Sequence, residues 1–199
     1  NGFTVATTFA SEPTTFYYNN TTYSPTNFQS IYAGFDVSMA YALATSDNIY
    51  AVKTHLFLGC DKMVNTLKRF GFSGDIPAIP SLALGVKEVS VKELTEAYSI
   101  LANSGKQVTP TIITKITNMN DEVLYEANPK TSRIADESDV YLLSEAMTSV
   151  FDDNMTYNIR PTGVSIKSML TTKYAAKSGS TDTDNWMVGY NPDIVVSVW

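Results

Sequence analysis

The chain's 199 residues suffice for one domain with a real core and are too few for two comfortable ones. With 44% apolar and 17% charged residues the composition is that of a globular domain, not a disordered one. A net charge of −6 supplies no cation cluster for a nucleic-acid partner, and one histidine (His55) with one cysteine (Cys60) provides neither a metal ligand set nor an internal disulfide, so no cofactor is expected.

The first thirty-four residues are rich in Thr, Asn, Tyr, Ser and Pro with little periodicity, and read as an extended arm. Its aromatics are too frequent for a flexible linker, so the arm is expected to lie ordered on the body, with Tyr17, Tyr18 and Tyr23 packing it. Helical patterning follows over 37–44, is broken by Thr45-Ser46-Asp47-Asn48, and resumes over 49–58 until Gly59. His55 falls inside this second helix and reads as structural. A third helix over 61–70 places Met63, Val64, Leu67 and Phe70 on one face and ends at Gly71, with Cys60 ahead of it as a small buried residue. Ser90-Val91-Lys92-Glu93 fits a capping box, opening a helix that buries Leu94, Ala97, Tyr98 and Leu101 and stops near Gly105.

Thr111–Thr117 alternates like a strand and can pair with Val123–Glu126 across a turn. A further helix over 138–151 carries Leu142, Leu143, Ala146, Met147 and Val150. Three strands close the chain, Tyr174–Ser178, Trp186–Tyr190 and Ile194–Trp199, separated by turn-forming clusters. A helical body followed by an antiparallel meander implies an α+β fold. No apolar stretch approaches the ~18–20 residues of a membrane span, and the opening Asn1-Gly2-Phe3-Thr4 has no signal-peptide pattern. The abrupt ends read as one domain, 1–199, cut at both sides from something larger.

Two short motifs carry chemistry: Ser46-Asp47-Asn48 between two helices, and Lys177-Ser178-Gly179 with Ser180-Thr181 on a strand. Singly, the first is an ordinary helix cap and the second a surface turn. Together, in this order and context, they resemble the second and third motifs of penicillin-binding proteins and serine β-lactamases. Longer stretches carry the same resemblance: Met39 to Lys53 around Ser46, Gly85 to Val91 running on to Gly105, and Asp184-Asn185-Trp186-Met187-Val188-Gly189-Tyr190-Asn191-Pro192. The last phrase resembles the bifunctional, class A penicillin-binding proteins more than the monofunctional ones.

The resemblance implies a DD-transpeptidase of the penicillin-binding protein and serine β-lactamase-like fold, which splits acyl transfer from D-Ala-D-Ala stem peptides into two steps through an acyl-serine. It implies that Ser46 shuttles the leaving-group proton and that Asn48 hydrogen-bonds the substrate amide and holds a neighbouring lysine. Lys177 would attract the substrate carboxylate, which the Ser178 and Ser180 hydroxyls would bind, beside Gly179 and Thr181. The Ser180 N–H would form half of an oxyanion hole. β-Lactams would react at the same groups. Trp186 could wall the groove or belong to the core.

The family's first motif is missing: no serine in the sequence is followed three residues later by lysine. The nucleophile is therefore expected on an upstream segment of the same protein, and this chain alone is expected to be inactive. The intact protein would be anchored at the outer face of the bacterial cytoplasmic membrane, with stem peptides and β-lactams as its ligands. A serine β-lactamase fits less well, because no Glu-x-x-x-Asn segment lies between the motifs to activate water. A non-catalytic β-lactam sensor or pseudo-enzyme is the alternative from another class.

Overall fold

Three helices of the computed structural model, which describes residues 3–199, begin at side chains that accept from their free first-turn amides. In chain order the elements are β1 (Thr8–Ala10), β2 (Phe16–Tyr18), β3 (Thr21–Tyr23), β4 (Asp36–Ser38), α1 (Met39–Thr45), α2 (Asn48–Leu58), α3 (Cys60–Arg69) and α4 (Val91–Ala102). There follow β5 (Lys106–Val108), β6 (Lys115–Thr117), β7 (Val123–Glu126), β8 (Thr131–Arg133), α5 (Glu137–Met147), β9 (Ala175–Ser180), β10 (Asn185–Tyr190) and β11 (Val195–Val198). Ser38 caps α1 through the Tyr41 amide, Asp47 caps α2 through the Tyr50 amide, and Ser90 with Glu93 completes the expected capping box on α4. Ser73 and Ser90 donate to the Glu93 carboxylate and hold it well below its usual range, at about 2.

The arm over 1–34, whose first two residues lie outside the described residues, is more regular than its composition implies. β1 pairs antiparallel with β4, β2 and β3 form a hairpin, and the Tyr18 hydroxyl donates to the Ala78 carbonyl at 2.9 Å. Tyr17 departs from the expectation: it is 83% exposed, because alternation along β2 turns it away from the body. The strand expected over 111–117 shrinks to β6, which pairs with β7 across a register irregularity at Ile116 and Thr117. The pairing of β5 with β8 joins segments too short to show a period.

A three-stranded sheet has the order β11-β10-β9, all antiparallel. α4 and α5 cover one end of it: Met147, Ala175 and Tyr190 form a core against Tyr98 and Leu101. On the other side of β9, Ala176 packs with Val150 and Phe151 of the 3-10 turn that continues α5. The helix expected over 138–151 thus changes pitch at Thr148, and Leu142, placed in the core by periodicity, is half exposed. Ile49, Val52, Ile100 and Val150 are fully buried, each worth roughly 1.5–3 kcal/mol of apolar transfer. His55 is buried too, its Nε2 3.0 Å from the Ile79 carbonyl, which ties α2 to the chain beneath it.

Gly105 ends α4 at φ +83, donates to Ile100 O at 2.7 Å, and accepts from Ile134 and Ala135. A Cβ there would overlap the Ala135 carbonyl oxygen and lie 2.9 Å from its carbon. Backbone cannot yield as a flexible side chain would. Gly105→Ala is therefore expected to destabilise the domain by roughly 3 kcal/mol or more in denaturant titration; a loss under about 0.5 kcal/mol, the range of an unremarkable surface substitution, would contradict this account of the turn.

Candidate active site

The Ser46-Asp47-Asn48 segment is the junction of α1 and α2, and its geometry follows from how the two helices are held. α1 ends where Ser46 adopts left-handed φ 55, ψ 51, a conformation a serine takes only under constraint. The constraint is visible on both sides. Asp47 N–H donates back to Ala42 O at 2.9 Å, and the Ala44 carbonyl accepts from Thr162 N–H at 2.9 Å. The sharp turn lifts Ser46 out of both helices and buries Asp47, which is only 4% exposed.

The Asp47 carboxylate is fully engaged. Oδ1 accepts from the Tyr50 amide at 2.8 Å, and Oδ2 accepts from Asn27 Nδ2 at 2.8 Å and from the Ser11 hydroxyl. Asn27 is itself buried, and its Oδ1 accepts from the amides of Asn48 (2.9 Å) and Ile49 (3.3 Å). Asn48 Nδ2 donates to the Thr26 carbonyl at 2.7 Å, while among the described residues its Oδ1 has no hydrogen-bond partner. Ser11, Asn27 and Asp47 were invisible as site residues in the sequence. Ser24-Pro25-Thr26-Asn27 reads as turn chemistry, and Asp47 occupies the motif's variable position.

The second motif arrives on β9. Lys177 pairs with Val188, Ser178 with Met187, Gly179 with Trp186 and Ser180 with Asn185. Lys177 Nζ donates to Ser46 Oγ at 2.5 Å and to Ser178 O at 2.8 Å, so the two motifs meet across 131 residues of chain. Burial pushes the Lys177 ammonium down from 10.5 to about 8, since removing a cation from water favours its neutral form. Alternation sets Ser178 and Ser180 on one face of β9 and Lys177 and Gly179 on the other. Among the described residues neither the Ser178 nor the Ser180 hydroxyl has a partner, and Ser180 is exposed.

The backbone of β9 is as informative as its side chains. Thr181 N–H donates to Asp184 O at 2.8 Å across the β9–β10 turn. In an antiparallel pair hydrogen-bonded positions alternate, so the peptide groups of Gly179 and Lys177 also face β10 while those of Ser180 and Ser178 face away. Among the described residues β9 has no strand on that side. The Ser180 N–H therefore lies on an open edge, beside two unengaged hydroxyls and a cation.

The remaining expected residues divide. A Cβ at Gly179 would meet Trp186 Cβ at 3.7 Å, an ordinary contact, so the fold does not itself require glycine there. The Thr181 hydroxyl accepts from the amides of Thr183 and Asp184, and so serves the turn. Trp186 is partly buried and tilts against Trp199 at 6.4 Å, and the Trp199 indole donates to Asp184 at 2.6 Å. The β9–β10 turn is thereby tied to the end of β11. No group of three or more His, Cys, Asp or Glu side chains capable of holding a metal ion occurs among the described residues.

Comparison with known proteins bears on the family and the fold. Residues 1–198 match the family model "Penicillin binding protein transpeptidase domain". Penicillin-binding protein 2D of Bacillus subtilis (strain 168) is 43% identical over 201 residues, covering 100% of this chain and 29% of that protein. Penicillin-binding protein 1A of Rickettsia conorii is 31% identical over 193 residues, covering 86% of this chain and 24% of the relative. The chain thus spans less than a third of the length of these relatives. Among solved structures, penicillin-binding protein 1A from Haemophilus influenzae superimposes with a TM-score of 0.85 at 22% identity, over 95% of this chain and 33% of that one. An imipenem acyl-enzyme complex of penicillin-binding protein A from M. tuberculosis superimposes with a TM-score of 0.80 at 17% identity, over 99% of this chain and 51% of that one. With its α+β fold, its two facing motifs and a family match along nearly its whole length, the chain belongs to the penicillin-binding protein transpeptidase domain family.

Proposed function

We propose that this chain supplies two of the three motifs of a serine-type DD-transpeptidase that cross-links peptidoglycan stem peptides and is acylated by β-lactams. The observation that carries the reading is the contact of Lys177 Nζ with Ser46 Oγ, which turns two distant motifs into one site. The sequence has no Ser-x-x-Lys, so the nucleophile and its lysine come from a part of the protein outside this sequence.

In this reading an extended stem peptide lies along the open edge of β9, taking main-chain hydrogen bonds as an added strand would. Its terminal carboxylate meets the Ser178 and Ser180 hydroxyls, drawn by the Lys177 charge. The Ser180 N–H stabilises the oxyanion as the nucleophile attacks the D-Ala-D-Ala carbonyl, together with the nucleophile's own N–H. Ser46, hydrogen-bonded to Lys177, relays the proton from the nucleophile to the leaving D-Ala amine. Asn48 presents its free Oδ1 to the substrate amide. An amine of a neighbouring stem peptide then attacks the acyl-serine: the new amide C–N bond forms as the serine ester C–O bond breaks, and the amine's proton goes to the released serine oxygen. The class A relatives suggest an intact protein with a separate glycosyltransferase domain, anchored at the outer face of the cytoplasmic membrane. Among the described residues no helix is long and apolar enough to cross a membrane.

The test is intact-mass spectrometry of the full-length protein with benzylpenicillin, followed by a stem-peptide substrate and an added amine acceptor. One covalent adduct and a transferred product are expected. No adduct would overturn the reading, and an adduct without transfer would support a β-lactam sensor instead. Ser46→Ala is expected to slow acylation by about a hundredfold or more, the range of a lost proton relay.

The depressed Lys177 predicts a pH profile. The ammonium is charged below about 8 and neutral above, so acylation by a carboxylate-bearing β-lactam falls as pH rises through about 8. Lys177→Arg keeps the charge and is expected to move that alkaline limb upward; a limb that stays in place would show that another group sets it.

A further inference from the structure

The polar network behind the Ser46-Asp47-Asn48 turn closes the start of α2 with a residue from far up the chain. Asp47 already caps α2 through its own Oδ1 and the Tyr50 amide. Asn27 extends that cap to the first two amides of α2, those of Asn48 and Ile49. It also donates to the second oxygen of Asp47, and so joins the groups that decide where Asn48 and Ser46 sit. The neighbouring Thr26 carbonyl takes the Asn48 side-chain N–H. The dipeptide Thr26-Asn27 therefore fixes both the backbone and the rotamer of Asn48. Through Asp47, which Ser11 also grips, it holds the turn that keeps Ser46 left-handed and in reach of Lys177.

We infer that Asn27 is a positioning residue for Ser46 and Asn48, binding the N-terminal arm to the site so that the proton relay and the substrate-amide contact are set before substrate arrives. This rests on the transpeptidase reading above and adds a residue outside the three motifs. The chemistry is specific to a primary amide. One planar group must accept at Oδ1 from two helix amides and donate at Nδ2 to a buried carboxylate. An aspartate would set a second carboxylate against Asp47, and an apolar side chain would leave buried groups unpaired. Ser11 has the companion role, its hydroxyl donating to Asp47 while its oxygen accepts from the Ala33 amide at 3.1 Å.

The experiment uses the full-length protein, with fluorescent penicillin as probe. The acylation rate constant is resolved from the binding constant, and thermal unfolding is followed on the same samples. Asn27→Asp is expected to lower the acylation rate constant by at least about tenfold in folded protein, since displacing a reacting group by about 1 Å can cost as much as a hundredfold. The double variant Asn27→Asp with Asp47→Asn exchanges acceptor for donor across the same contact and is expected to recover most of the loss. A merely structural role would lower the melting temperature and leave acylation per folded molecule unchanged.

Folded Asn27→Asp reacting at the wild-type rate, or a loss that the exchange does not recover, overturns the inference. Should Asn27→Asp fail to fold, Ser11→Ala decides. It removes one donor to the same carboxylate, and a slowing of about threefold or more supports the inference, while wild-type kinetics overturn it. A wild-type protein that forms no adduct would instead sink the transpeptidase reading, and this inference with it.

Discussion

A carboxylate buried at the junction of two helices governs this domain's architecture. Asp47 is almost inaccessible, and a buried carboxylate is tolerated only when its oxygens are hydrogen-bonded. The α2 amide that satisfies one oxygen comes from local structure, but the donors to the other come from Ser11 and Asn27, far up the chain. Those contacts tie a segment with the composition of a loop to the helix junction, next to the pairing of β1 with β4 immediately before α1. The burial also accounts for the left-handed serine: the turn that buries Asp47 is the same turn that presents Ser46. Hydrogen bonds to a charged group are worth roughly 1.5–3 kcal/mol each, enough to hold one residue in an unfavourable region.

On β9 the same logic runs with opposite charge. Lys177 is held by β9 largely away from water and meets two neutral oxygens, Ser46 Oγ and Ser178 O. Hydrogen bonding to neutral acceptors does not repay the loss of hydration, so the ammonium sits well below its normal range. A cation held this way is poised to gain from an anionic ligand, because binding a carboxylate restores the charge partner that folding withheld. The packing of Ala175 and Ala176 on either side of β9 supplies the rigidity that such a site needs.

The parts of this picture legible in the sequence were those with a local cause. The Ser90–Glu93 capping box, the helix stop near Gly105, the β6–β7 hairpin and the closing meander follow from residue spacing, and the structure has all of them. Ser46, Asn48 and Lys177 stood out because their motifs are short and contiguous. What was not legible depends on partners distant in sequence. Nothing in Ser24-Pro25-Thr26-Asn27 distinguishes a buried bidentate amide from a surface turn, and nothing around Ser11 announces a fully buried hydroxyl. Leu142 and Tyr17 misled for the complementary reason: periodicity assigns a face, but which face is covered depends on the neighbouring elements. The orientation of the Ser180 peptide toward the open edge required the register with β10, which only the folded sheet provides.

The central claim is that the open edge of β9 and the Ser46–Lys177 contact form one acyl-transfer site. The most direct test is a crystal structure of the full-length protein acylated by benzylpenicillin. The account predicts the drug's carboxylate at hydrogen-bond distance, about 3 Å, from the Ser178 and Ser180 hydroxyls, with its acyl carbonyl oxygen accepting from the Ser180 N–H. An acyl group attached elsewhere, with the β9 edge and both hydroxyls untouched, would contradict it.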